Sequence, residues 1–281
     1  MRPLPIPAIA VSDVLTKCID GSDDPGLKAR LEAIRSTIVT NEGVYDAHGK
    51  AVSLHLIPRC TAVGAVSKDE LTALYSDHMS STSGSARGIY DLIRNAAPHK
   101  RCPLCGAGTV AALDHHLPKS QYPDLAILPS NLVPACHYCN DAKRARYPRS
   151  AEEQTLHPYY DGHLQGQWLK AHVDRGPPVT VGYAVVTPPG WSKLDGERAL
   201  RHFTVCKLAI KFASNAADEL APVRESLQQL WEAGGALATH AHLSEQTNKY
   251  AIRPNSWQHA FYQALRDDPW FVQGGFQKIA D

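Results

Sequence analysis

The spacing of four cysteines constrains this chain more than any other feature. Cys102-Pro-Leu-Cys105 and Cys136-His-Tyr-Cys139 are two C-x-x-C pairs in one stretch. The two-residue spacing lets both sulfurs of a pair face one ion, and two such pairs make the closed tetrahedral thiolate set of a structural zinc site. Pro103 and Gly106 are turn formers that suit the first knuckle. A single C-x-x-C also fits a redox motif, but two pairs with polar, turn-forming flanks point to zinc. The remaining cysteines, Cys18, Cys60 and Cys206, are scattered and read as small buried apolar residues. Seven cysteines without a secretory pattern suggest a reducing cytoplasm rather than a disulfide scaffold.

Between and around the pairs lie residues of a different chemistry. Asp114-His115-x-x-Pro118 is followed by Asn131, and then by Cys136-x-x-Cys139-Asn140-x-x-Lys143. In this order they resemble the HNH endonucleases, over roughly residues 100–147. The resemblance implies a ββα-metal, treble-clef-like core in which a two-stranded hairpin and a following helix clasp one divalent ion. It further implies that Asp114 and Asn140 ligate the catalytic metal, that His115 is the general base, and that Asn131 braces the turn orienting His115.

The chemistry asks for such groups independently. Phosphodiester hydrolysis needs a proton acceptor for water, and histidine titrates near physiological pH. It also needs positive charge at the phosphate and the leaving oxygen, which a hard cation with open positions supplies. Asp114 and Asn140 are oxygen donors, so magnesium or manganese is expected there rather than zinc. His115 and His116 compete for the role of base. The two residues between His115 and Pro118 match the family pattern, but strand alternation puts Asp114 and His116 on one face. A turn or bulge is therefore expected to bring His115 round. The helix after Asn140 has no further histidine; His157 either contributes to the metal or packs as a turn residue.

Charge is concentrated on the same stretch. From His99 to Arg149 there are seven Lys/Arg and three Asp, a net +4, whereas the rest of the chain, with 22 basic and 25 acidic residues, carries −3. Lys143, Arg144 and Arg146 are the expected contacts to nucleic-acid phosphates. No apolar run approaches a membrane span, so a cytoplasmic protein is expected.

The flanks read as mainly helical, giving an α+β fold: a helical chain around a small zinc-stabilised core. Two helices are expected between Ile9 and Thr40, split by Gly21-Ser-Asp-Asp-Pro-Gly26. Ser67-Lys-Asp-Glu70 is a capping box, and Arg87 to Ala96 a short helix. Pro177 to Val186 alternates as a strand; Leu194 to Ala233 reads as a helical region broken near Pro222; Ser256 to Arg266 is a last helix. Trp257, Phe261, Leu265, Trp270 and Phe271 are expected in a core. The division expected is residues 1–84, 85–161 with the zinc site, and 162–281.

The function expected is a metal-dependent endonuclease acting on DNA, in prokaryotic restriction, antiphage defence or a mobile element. The resemblance to defence-associated members, often paired with an ATPase, implies a regulatory ATPase partner. The rival is a zinc-stabilised nucleic-acid-binding or adaptor protein without catalysis, and RNA cleavage is a third reading.

Overall fold

The structure is a computed structural model that describes residues 1–280. It is a mixed α+β chain in which short strands pair as antiparallel ribbons among long helices. Two compact units form, Met1–His163 and Leu164–Asp281. Among the described residues no helix is long and apolar enough to cross a membrane.

In the first unit, α1 (Val11–Asp20) buries Val11, Val14, Leu15 and Cys18. The turn after it ends at Asp24, whose side chain accepts the Gly26 N–H at 2.8 Å and starts α2 (Pro25–Lys50) with proline at its first position. This helix runs ten residues past the expected Thr40, to Lys50. Tyr45, in that extra stretch, is fully buried. A small ribbon, β1 (Ala62–Val63) with β2 (Val66–Ser67), leads into α3 (Lys68–Ala73). Ser67 and Glu70 form the expected capping box. A π-helical turn, Leu74–Ser80, extends α3, and α4 (Arg87–Asn95) follows.

The second ribbon is central. β3 (Ala112–His115) pairs antiparallel with β4 (Leu132–Ala135), from Ala112↔Ala135 to His115↔Leu132. α5 (His137–Lys143) begins immediately after β4, with Cys136 as its N-cap residue. One hydrophobic core joins α1, α2, the ribbon β1–β2, α3 and α4 to Leu113, Leu117, Tyr122, Leu125 and Leu132 of the ribbon and its loop. Residues 1–84 and the cysteine-bearing segment therefore pack within one unit, with no division at Gly84.

In the second unit, β5 (Leu169–Asp174) pairs with β6 (Thr180–Val185) as a hairpin. β6 is the strand expected from the alternation of Val181, Tyr183 and Val185; its partner β5, Leu-Lys-Ala-His-Val-Asp, has too weak an alternation to stand out. α6 (Lys193–Val205) and α7 (Leu208–Tyr250) are separate helices, divided at Lys207, which takes a left-handed conformation with φ 49°. Pro222 does not break α7. Proline removes one helical hydrogen bond, and the buried neighbours Leu220 and Val223 hold the turn in place. The kink comes at Gly235, with φ 61° and ψ −148°, a region that glycine alone enters readily. α8 (Trp257–Asp267) packs on α7 and β5, and α9 (Pro269–Val272) follows. Phe261, Leu265 and Phe271 are fully buried, whereas Trp257 and Trp270 keep partial exposure.

Candidate functional site

The four cysteines converge. Cys102, Cys105, Cys136 and Cys139 are all buried, and their sulfurs lie within 4.8 Å of one another. A tetrahedral zinc with bonds of about 2.3 Å sets its sulfurs about 3.8 Å apart, and Cys105 Sγ lies 3.9 Å from Cys136 Sγ. The set can hold a zinc ion. Backbone bonds shape the first knuckle: Gly106 N–H donates to the Cys102 carbonyl at 2.7 Å, Cys102 N–H to the Gly108 carbonyl at 2.8 Å, and Gly108 N–H to Cys105 Sγ at 3.3 Å. Gly106 supplies the positive φ of 70° that the knuckle needs. A Cβ on Gly108 would sit 2.7 Å from Cys136 Sγ, so the two halves of the site meet there only because residue 108 has no side chain.

The ribbon carries Asp114 and His115 out of this scaffold. The ladder is regular through His115↔Leu132, and the His116 N–H continues it to the Asn131 carbonyl at 2.8 Å. The expected bulge is not present. Successive side chains alternate instead. The His115 ring packs edge-on against Tyr75, centroids 4.3 Å apart, and the His116 ring lies against His157 at 4.1 Å.

His115 is held in one tautomer. Its Nε2 lies 2.8 Å from the Ala126 carbonyl oxygen, which can only accept, so Nε2 carries the proton and Nδ1 keeps the lone pair. Burial is the main reason its imidazole is pushed down to about 3; the charges of Lys119 and Lys143 push the same way, against the hydrogen bond to Ala126. The ring is neutral at physiological pH.

Asn131 fixes the loop that supplies this carbonyl. It is fully buried, and its amide makes four bonds. Oδ1 accepts from the Leu117 N–H at 2.8 Å and from the Tyr45 hydroxyl at 3.0 Å, while Nδ2 donates to the carbonyls of Leu117 at 3.0 Å and Leu125 at 3.1 Å. Both ends of the segment bearing Ala126 are thereby pinned. Tyr45 carries the network on to His157 Nε2 at 3.2 Å, and His157 Nδ1 accepts the Tyr159 N–H at 3.2 Å. Both ring nitrogens of His157 are thus engaged within the protein, which is the packing role for that histidine. Tyr45 lies far back in the chain, and nothing in the cysteine motif signals it; it falls beyond Thr40, the expected end of the helix.

Lys143 departs from the expected phosphate contact. It is 4% exposed, and its ammonium lies 3.2 and 3.1 Å from the two carboxylate oxygens of Asp114 and 2.5 Å from the His115 carbonyl. The reason is helical geometry. Lys143 ends α5 on the side facing β3, and its chain is long enough to reach the buried carboxylate. Burial pushes the Asp114 carboxyl up, and Lys143 pulls it back. Asn140 is half-buried one turn earlier on α5, so it neighbours Lys143 on the same helix face. Arg144 and Arg146 are exposed.

This pair makes a test of position. Lys143→Met strands a buried carboxylate, and breaking such a pair costs about 3–5 kcal/mol. The unfolding midpoint in denaturant is expected to fall accordingly, and Asp114→Asn added to Lys143→Met is expected to recover most of the loss. A single variant within about 0.5 kcal/mol of the parent, the usual range for surface changes, would place Lys143 in solvent instead.

Comparison with known proteins adds one likeness. Over an alignment of 296 residues the chain is 28% identical to "Protein ea31" of Escherichia phage lambda, covering 98% of this chain and 100% of that protein. No protein-family model matches the chain. No solved structure matches it either.

Proposed function

We propose that the protein is a metal-dependent endonuclease of the HNH type that hydrolyses DNA phosphodiester bonds. The observation that carries the reading is His115: a neutral imidazole with a fixed tautomer, one residue after the buried Asp114 carboxylate, which the regular ladder turns to the other face of β3. The surroundings support it. A two-stranded ribbon runs into a helix, and four cysteines tie the helix start to the chain before the ribbon. A ribbon, a helix and a cysteine cluster in this order are what the ββα-metal, treble-clef-like core of the resemblance would require.

Asp114 and Asn140 would hold a magnesium or manganese ion, which supplies positive charge at the phosphate and the leaving oxygen. The donor set fits a hard ion, since it offers a carboxylate and an amide oxygen and no sulfur. The Lys143 ammonium lies at both Asp114 oxygens, so a metal there would have to share the carboxylate with it or displace it. His115 Nδ1 takes a proton from the attacking water as its oxygen bonds to phosphorus and the bond to the leaving oxygen breaks. A phosphate brought beside the ring favours the imidazolium and raises its basicity from the depressed value. Asn131 acts through the loop that orients the ring. Arg144 and Arg146 remain the exposed cations of the expected phosphate contacts. The end-to-end likeness to a phage protein favours a mobile-element setting over host defence.

The same Lys143 contact favours a second reading, in which Asp114 serves only as a structural partner and the zinc-bearing unit binds nucleic acid without cutting it. Incubation of the zinc-loaded protein with supercoiled plasmid separates the two. Nicked or linear product with magnesium or manganese, and none with EDTA, is expected. Intact plasmid with both ions, from folded and zinc-loaded protein, would leave the binding reading.

A further inference from the structure

Lys143 is withdrawn into the interior, and exposed basic groups lie beyond it in the chain. Arg144, Arg146 and Arg149 follow α5 along an exposed stretch that holds Tyr147. Arg149 lies over the Tyr147 ring with its guanidinium carbon 6.0 Å from the centroid. A second guanidinium, Arg59, comes from far earlier in the sequence and lies over the same ring at 5.2 Å. Arg59 also donates to the Tyr147 hydroxyl at 2.9 Å and to the Gln121 side-chain oxygen at 3.4 Å. Both partners are neutral, so the charge of Arg59 is anchored but not cancelled.

A cleft of about 440 Å³ opens beside it, lined by Arg59, Cys60, Thr61, Lys68, Ser120 and Gln121. No carboxylate lines it. Among the described residues the Lys68 ammonium has no ion-pair partner, and the Ser120 hydroxyl has no hydrogen-bond partner. Two cations, an amide and the Thr61 hydroxyl around one opening are groups that recognise a phosphate oxygen; the Ser120 hydroxyl is buried beneath them. Ser120 and Gln121 belong to the loop that leaves His115. Six residues of chain reach at most about 20 Å, so the cleft lies within that distance of the proposed base. One turn of duplex DNA rises about 34 Å, which lets a single duplex span both.

We propose that this cleft, with Arg59, Lys68 and Arg149 around Gln121 and Tyr147, is a second phosphodiester-contact surface that tracks the backbone of duplex DNA beside the cleavage centre. It rests on the nuclease reading for its orientation, but not for its chemistry. The surface is built largely from residues outside the cysteine motif, which gives the N-terminal region a part in binding as well as in packing.

The test is the Arg59→Gln, Lys68→Gln, Arg149→Gln triple variant, compared with the parent for binding to a 20-base-pair DNA duplex across a salt series in EDTA. Each neutralised phosphate contributes about 0.9 to the slope of log K against log salt concentration, so the triple variant is expected to lose about 2.7. Zinc content and melting temperature are expected to stay at parent values, and Arg59→Lys to keep most of the slope. A parallel series with double-stranded RNA and with inorganic pyrophosphate separates duplex DNA from other phosphate sources; equal or stronger loss on RNA would overturn the assignment to DNA. An unchanged slope in a variant that still cleaves plasmid would sink the surface and leave the nuclease reading standing. A lost slope with no cleavage by either protein would sink the nuclease reading and leave the surface. No duplex binding by the parent would overturn both.

Discussion

Cys136→Ser is expected to unfold the segment from the first knuckle to α5, not merely to slow the protein's chemistry. Cys136 does three things at once. Its sulfur belongs to the buried four-cysteine set, its carbonyl accepts the Asn140 N–H that begins α5, and its side chain sits against Gly108 of the other knuckle. The two halves of the site are otherwise joined near this point by backbone bonds such as Ala111 N–H to the Ala135 carbonyl. Structural zinc contributes an apparent 10–16 kcal/mol in small zinc-dependent folds, because ligation and folding are one event. Whole domains have a net stability of only about 5–15 kcal/mol. Losing one ligand of four therefore threatens the unit as a whole. The measurement is metal content by elemental analysis together with thermal melting, for the parent, for Cys136→Ser and for the parent after chelation. One zinc per parent chain and a lowered, broadened melt in the other two are expected. Folded, soluble parent without zinc would refute this, as would a serine variant with full metal content and an unchanged melt.

How much of this was legible in the sequence depends on whether the signal was local. The cysteine pairs and the capping box at Ser67 and Glu70 are each set by a few adjacent residues, and the structure places both as read, whereas α2 begins at Pro25, inside the segment expected to separate the two helices. The long-range partners were not legible. Tyr45 and Ala126 hold Asn131 and His115 through contacts that no spacing rule encodes. Lys143 looked like part of a basic run, and only the proximity of α5 to β3 makes it the counter-charge of Asp114. Proline misled in a related way. Pro222 costs α7 a hydrogen bond without bending it sharply, while Gly235 bends it because a backbone free to take positive φ yields first. The shared core of the first unit also changes the meaning of the N-terminal region. Cutting the chain at Gly84 would strip α1, α2 and α3 from Leu113, Leu117 and Leu132, so residues 1–84 belong to the same fold as the cysteine-bearing segment.

His115→Ala carries the other large effect, on rate. If His115 is the proton acceptor, its loss is expected to lower plasmid cleavage by on the order of 10²–10⁴, the usual worth of a general base. That range corresponds to about 3–5 kcal/mol in the barrier at 1.36 kcal/mol per tenfold. The ring is also buried against Tyr75 and bonded to the Ala126 carbonyl, so alanine opens a cavity and leaves that carbonyl unpaired. His115→Gln separates the two roles, since its amide can still donate to Ala126 but offers no base. The glutamine variant is expected to keep parent zinc content, melting temperature and duplex affinity while losing cleavage to the same degree as alanine. His116→Ala is the control for register. Its ring lies tilted against His157, on the side served by the Tyr45 network, and its loss is expected to spare most of the activity. A dead His116→Ala beside an active His115→Gln would move the base by one residue to the opposite face of the strand. The Ala126 bond would then be a packing feature, and the chemistry would belong to the His116 side of the strand, where its ring meets His157.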